Sequence, residues 1–182
     1  PVELEIARWL RARSMMALAH LYAVRGAEAE AIARPALERA ERVLGEANPE
    51  TITLLSLTAQ SLRMQDRTVE AMPLFERGLA VMRANLSEDF PQFSQFLSVY
   101  AIALYSQNRF EDAERVAAEA IQRAERRGDE PVARIDKLTA MQTRAQALVG
   151  LERFAEAEAI LTTAIAEDEA MRGRDHPDSL EK

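Results

Sequence analysis

Apolar positions along the chain recur at the three-to-four-residue spacing of amphipathic helices, interrupted by short polar turns, and one phrase returns in phase four times. It is carried by Ala29, Ala71, Ala113 and Ala157, which are spaced by 42, 42 and 44 residues. Seven residues after each stands a small residue (Ala36, Gly78, Ala120, Ala164), and directly after that a branched aliphatic (Leu37, Leu79, Ile121, Ile165). A pattern that repeats at this period marks an array of helical units, none of which can bury its apolar face alone. The register predicts an all-α chain of four antiparallel helix pairs, approximately residues 3–48, 49–90, 91–130 and 131–174. First helices are expected at 3–24, 50–65, 92–107 and 132–149, and second helices at 27–44, 69–85, 110–127 and 152–171. Residues 175–182 are expected to be the start of a further repeat or a truncated end, so that eight helices and the beginning of a ninth form one array over 1–182.

The polar punctuation agrees with this division. Asn48-Pro49-Glu50, Asp89-Phe90-Pro91, Asp129-Glu130-Pro131 and Asp175-His176-Pro177-Asp178 each combine proline with a polar residue, which suits the first turn of a helix, where a missing N–H needs no partner. Within each pair, Arg25-Gly26, Gln65-Asp66, Asn108-Arg109 and Gly150 mark turns short enough to force the two helices antiparallel. Pro35 and Pro73 fall inside second helices and are expected to kink rather than break them. Glu38/Arg42, Glu111/Arg115 and Glu119/Arg123 stand at i,i+4 with the acid first, as on a solvated helix face.

Composition narrows the function. A net charge of −7 and a sequence pI near 5.0 oppose phosphate backbones and anionic membranes, and no basic cluster stands out, so neither nucleic acid nor membrane is expected as a partner. The absence of cysteine removes disulfides, thiolate metal sites and Cys nucleophiles, in keeping with a reducing compartment, and the cytoplasm is the default expectation. No apolar run approaches the roughly 20 residues a membrane helix needs. The opening at Pro1 rather than Met reads as that of an excised fragment.

On these residues the chain resembles the tetratricopeptide repeat family in its longer, 42-residue, kinesin-light-chain-like form, which many bacterial regulators also carry. Small residues of the first helix (Ala17, Ala59, Ala101, Ala145) and the aromatics Phe110 and Phe154 ahead of the second helix match that pattern, most clearly in "RFEDAERVAAEAI" and "RFAEAEAILTTAI". Residues Gly173 to Ser179, "GRDHPDS", are similar to its inter-repeat loop. Gly26 and Thr68 stand where the aromatic belongs in the first two copies, which puts the packing of those turns in question. Independently of the resemblance, the paired alanines would let helices approach closely while Leu55, Leu62, Leu97, Leu104, Met141 and Leu148 fill the space between them.

The resemblance implies a right-handed α-solenoid whose first helices line a concave groove. By register the groove positions are Arg11, Ser14, Leu18 and Tyr22, then Thr53, Ser56, Gln60 and Arg63, then Gln95, Ser98, Ile102 and Tyr105, then Thr139, Gln142 and Gln146. Amides and hydroxyls there can satisfy an extended peptide backbone, and Leu18, Tyr22, Ile102 and Tyr105 can take apolar anchors. Tyr22, Arg63 and Tyr105 are of the types enriched at binding hot spots. The groove has no lysine, which disfavours the carboxylate clamp by which some members hold chaperone tails.

Chemistry is sparse in comparison. His20 sits in register with Leu62, Leu104 and Leu148 and reads as a partly buried structural histidine, while His176 reads as a helix-start residue. Glu167-Asp168-Glu169 point in successive directions around a helix and make a poor cation site. No phosphate loop or nucleophile elbow is present. The chain is therefore expected to be no enzyme and to need no cofactor or metal. It reads as a protein- or peptide-binding scaffold, a regulatory or sensory segment of a larger protein. The alternative is a homo-oligomerisation module that self-associates by stacking its terminal faces, and a small-molecule or catalytic domain is the third class.

Overall fold

The computed structural model describes residues 2–87, 90–128 and 130–174, with side chains from residue 5 to 170. Eight α-helices and no strand occur among the described residues: α1 (Val2–Tyr22), α2 (Gly26–Leu44), α3 (Pro49–Arg63), α4 (Thr68–Asn85), α5 (Gln92–Ser106), α6 (Phe110–Arg126), α7 (Pro131–Gly150) and α8 (Phe154–Arg174). Each expected helix is present, with ends shifted by no more than a few residues. Asp89, Asp129 and the 175–182 stretch lie outside the described residues.

Local chemistry explains the boundaries. Asn48 caps α3 by accepting the Glu50 N–H on Oδ1 at 2.9 Å, with Pro49 as the first helical residue. Pro131 opens α7 in the same way. The turn inside each pair is one device used four times. Val24, Asp66, Asn108 and Glu152, each in the same register, take left-handed backbone with φ of 58°, 59°, 56° and 60°. The next N–H then bonds back to the first helix, from Arg25, Arg67, Arg109 and Arg153 to the carbonyls of His20, Leu62, Leu104 and Leu148. This closes orphan carbonyls at the helix end and reverses the chain. Three of those arginines also reach forward to an acid in the next helix, Arg67 to Glu70, Arg109 to Asp112 and Arg153 to Glu156, each at 2.7 Å. Pro35 and Pro73 both sit within continuous helices, α2 and α4.

The chain divides into two compact units, residues 1–92 and 93–182. In the first, α3 packs against both helices of the preceding pair. Ala17, Leu21, Ala29, Ala33 and Leu57 form one buried cluster there. In the second, α7 packs between α6 and α8, and Ala145, Leu148 and Ala157 share a cluster with Ile160 against it. All eight alanines of the close-approach set are 2% exposed or less, so the helices meet nearly backbone to backbone. Leu55, Leu62, Leu97, Leu104, Met141 and Leu148 are buried as expected.

The first turn of α2 departs from the aromatic pattern without a packing defect. In the second unit the Phe110 ring lies over Gly150, so close that an added Cβ would stand 2.8 Å from the ring. In the first unit the sizes are exchanged: Gly26 is buried against Met64, which occupies the register of Gly150, and an added Cβ would meet the Ser61 carbonyl oxygen at 3.0 Å. A large-small pair becomes a small-large pair, and the space is filled either way.

Candidate functional site

On α1 and α3 of the first unit, four of the expected positions can be reached from solvent to different degrees. Tyr22 is 78% exposed, while Leu18, Gln60 and Arg63 are half-buried. The Gln60 amide donates to Ser56 Oγ at 3.1 Å, one turn back on the same face. Tyr22 aligns with Met64 rather than with Arg63, whose counterpart is the buried Leu21, so Tyr22 and Arg63 occupy adjacent rows. Ser14 is buried, its hydroxyl donating to the Glu50 carboxylate, and therefore joins α1 to α3 instead of facing a ligand. His20 is half-buried as expected, with Nδ1 unbonded.

Arg63 is the electrostatic anomaly of this face. It is half-buried, its Nε is sealed from solvent without a hydrogen-bond partner, and it has no acidic partner among the described residues. Burial holds its guanidinium below the usual arginine value. Elsewhere in the same unit, half-buried carboxylates are matched to arginines. Glu30 accepts from Arg34, Gln65 and Arg67 at 2.6, 2.8 and 2.8 Å, linking α2 to the turn between α3 and α4. Burial alone would raise the Glu30 pKa, but these bonds and the charges of Arg34 and Arg67 outweigh it and the net shift is downward.

On α5 and α7 of the second unit, Gln95, Gln142 and Gln146 are exposed and Ile102 and Tyr105 half-buried. The Tyr105 ring packs on Phe110, centroids 5.7 Å apart. Ser98 is corrected: at 2% exposure it bonds the Ser94 carbonyl at 2.9 Å and the Asp136 carbonyl at 3.3 Å, an inter-helix contact closed to a ligand. The reason is the one that buries Ser14, a hydroxyl small enough to sit under the first helix of the next pair.

Sequence reasoning did not find the network beneath it. Asp136, 7% exposed, accepts from Ser94 Oγ at 2.9 Å and pairs with Arg127 at 3.3 Å, while Arg127 also holds Glu130 at 2.9 Å. Burial raises the Asp136 pKa against the opposing pull of Ser94 and Arg127. Nor did it find that two guanidiniums stand over the Trp9 ring, Arg13 at 5.1 Å and Arg39 at 4.9 Å from its centroid. The i,i+4 spacing of Trp9 and Arg13 signals half of that arrangement; Arg39 comes from α2 and leaves no local trace. Of the expected exposed ion pairs, Glu119–Arg123 forms at 3.0 Å, whereas Arg115 turns to Asp112 at 2.6 Å. Among the described residues no cluster of three or more His, Asp and Glu could hold a metal, and no helix is long and apolar enough to cross a membrane.

Two family models, both described as tetratricopeptide repeat, match residues 10–84 and 97–127. The chain belongs to the tetratricopeptide repeat family. A curated relative, tetratricopeptide repeat protein 19, mitochondrial, of Homo sapiens, is 29% identical over 110 residues, which are 60% of this chain and 28% of the relative's length. The chain thus spans little more than a quarter of that protein. Among solved structures, the kinesin light chain nearly identical TPR-like repeats of Podosopora anserina superpose with a TM-score of 0.75 at 17% identity, over 94% of this chain and 81% of that one. BtubC (BKLC) from P. vanneervenii superposes with a TM-score of 0.78 at 16% identity, over 92% of this chain and 66% of that one. These likenesses establish the TPR-like solenoid fold, and the fold with its family is that of a protein-interaction scaffold.

Proposed function

We propose that this tetratricopeptide repeat segment binds an extended peptide or protein strand along its first-helix faces, as a non-catalytic regulatory part of a larger protein, and that in the first unit the anchor is an acidic side chain received by Arg63. The observation that carries this reading is the half-buried Arg63 guanidinium, without an acidic partner among the described residues, beside the Gln60 amide on the same helix face. A charge held partly out of water without a counter-ion gains most from one delivered by a ligand, and arginine is suited to a carboxylate through two parallel bonds. In the second unit, Gln95, Gln142 and Gln146 offer amide donors and acceptors for a backbone, with Ile102 as an apolar contact.

The test is a displayed library of random linear peptides selected against the folded chain and counter-screened against Arg63→Ala. Enrichment of peptides with a common Asp or Glu, binding the parent at least tenfold more tightly than the variant and weakening with salt, supports the proposal. Enriched peptides that bind Arg63→Ala equally well would sink it.

A further inference from the structure

The contact of Arg39 with the Trp9 ring is one of a series. Trp9 and Arg39 stand 84 residues before Phe93 and Arg123, the separation that also relates Ala29 to Ala113, and the Arg123 guanidinium lies 3.8 Å from the Phe93 centroid. There the guanidinium has an acid of the chain as well: Glu119, one turn back on α6, accepts from its Nε at 3.1 Å and from a terminal nitrogen at 3.0 Å. In the last pair the two positions are Lys137 and Glu167, joined at 2.7 Å. In the second pair they are Thr51 and Val81, without charge. The first pair departs from the series in two ways. The counterpart of Glu119 is Pro35, which brings no carboxylate. The counterpart of Leu97, fully buried in its own pair, is Arg13, whose guanidinium stands 5.1 Å from the same Trp9 centroid. One anion is missing and a second cation is present.

With each guanidinium carbon about 5 Å from one ring centroid, those of Arg13 and Arg39 are within about 10 Å of each other. Neither arginine forms an ion pair among the described residues, although Glu5 and Glu38 are near in sequence. Trp9 and Arg13 are half-buried and Arg39 is exposed, so solvent reaches the cluster. The indole attracts each cation and offsets their mutual repulsion. A single carboxylate matches one guanidinium, as Glu119 does in the third pair, whereas two guanidiniums match a doubly charged oxyanion. A phosphomonoester carries about −1.5 to −2 charges near pH 7 and three acceptor oxygens, which arginine meets with parallel N–H bonds. The net charge of −7 on the chain favours such an isolated group over the continuous phosphate backbone of a nucleic acid. We propose that Trp9, Arg13 and Arg39 form a binding site between α1 and α2 for a phosphomonoester group. The site is separate from the face of Arg63, since at about 100° per residue Trp9 and Arg13 stand roughly opposite Leu18 and Tyr22 around α1.

Trp9 is the one tryptophan of the chain, so its fluorescence reports the site without a label. Inorganic phosphate and a short phosphoserine peptide, with the serine and glutamate forms of that peptide as controls, are titrated at constant ionic strength, and each titration is repeated by calorimetry. The proposal expects saturable binding of phosphate and of the phosphoserine peptide, with the glutamate form at least tenfold weaker and the serine form silent. A phosphopeptide that binds more tightly than phosphate assigns the group to a phosphorylated chain, and equal binding assigns it to a small phosphorylated molecule; either supports the site. Arg13→Leu, which supplies the residue of the third pair, and Arg39→Gln should each weaken binding at least tenfold, while Arg63→Ala leaves it intact. Pro35→Glu keeps both arginines, restores a helical N–H inside α2 and installs the counterpart of Glu119, so it should suppress binding as strongly, with helicity by circular dichroism at least that of the parent. Absence of saturable binding by both methods, a glutamate form that binds as tightly as the phosphoserine form, or a Pro35→Glu protein that binds like the parent would each overturn the proposal.

Discussion

Replacing Gly150 by Ala sets two physical effects against each other with opposite signs. Helix propensity alone makes alanine the better residue by up to about 1 kcal/mol, somewhat less at the last position of α7. Packing says the reverse. The new Cβ would lie 2.8 Å from three carbons of the Phe110 ring, well inside contact distance. That ring cannot withdraw freely, because it opens α6 and packs on Tyr105. Overpacking of this kind costs about 1–3 kcal/mol. The net expectation is a loss of about 1–2 kcal/mol, which in a chain of this size lowers the melting temperature by roughly 2–8 °C. Urea unfolding followed by circular dichroism measures it. The cycle is completed by Phe110→Ala, in whose background Gly150→Ala should cost nothing or stabilise slightly. A Gly150→Ala protein as stable as the parent, or more so, with Phe110 in place would refute the close-approach argument and with it the size exchange at Gly26 and Met64.

Further outcomes follow from the same geometry. Val24 is a β-branched residue in left-handed backbone and 77% exposed, so Val24→Gly should stabilise the chain by about 1 kcal/mol in the same urea assay, against the usual penalty of glycine. Asp136→Ala leaves the half-buried Arg127 without one of its carboxylates and should cost about 2–4 kcal/mol. Glu30 has a folded pKa below its ordinary value, so its stabilisation is complete above the unfolded pKa and is lost as pH falls through the folded one. Urea midpoints taken from about pH 7 down to about pH 3 should therefore fall less for Glu30→Gln than for the parent.

The fold was legible because its determinants are local and repeated. Four in-phase alanines set the helix pairs, prolines opened α3 and α7, and a short turn with a left-handed residue closed each pair. The binding face was only partly legible, because the same hydroxyl row could be read as lining a groove or as lying under the next helix. Ser14 and Ser98 turn inward since Glu50 and Asp136, on neighbouring first helices, supply partners whose positions depend on how pairs stack. Tyr22 was placed with Arg63 through a register slip of one residue that the 42-residue spacing itself exposes. The special character of Arg63 left no trace in the sequence, since it consists of having no acidic partner among the described residues. The exchange of Gly26 and Met64 for Phe110 and Gly150 was hidden for a related reason: each residue departs from the pattern alone, and the pair conforms to it.

The central claim is that ligands meet the first-helix faces, with Arg63 as the anionic anchor of the first unit. The most direct measurement is a backbone amide titration by nuclear magnetic resonance, using an acidic peptide selected on the parent chain and repeated on Arg63→Ala. The account predicts saturable shifts centred on Leu18, Gln60 and Arg63 in α1 and α3, largely abolished in the variant while the spectrum otherwise stays that of the folded parent. Shifts centred on the second helices α2 and α4, or shifts unchanged by Arg63→Ala, would contradict it.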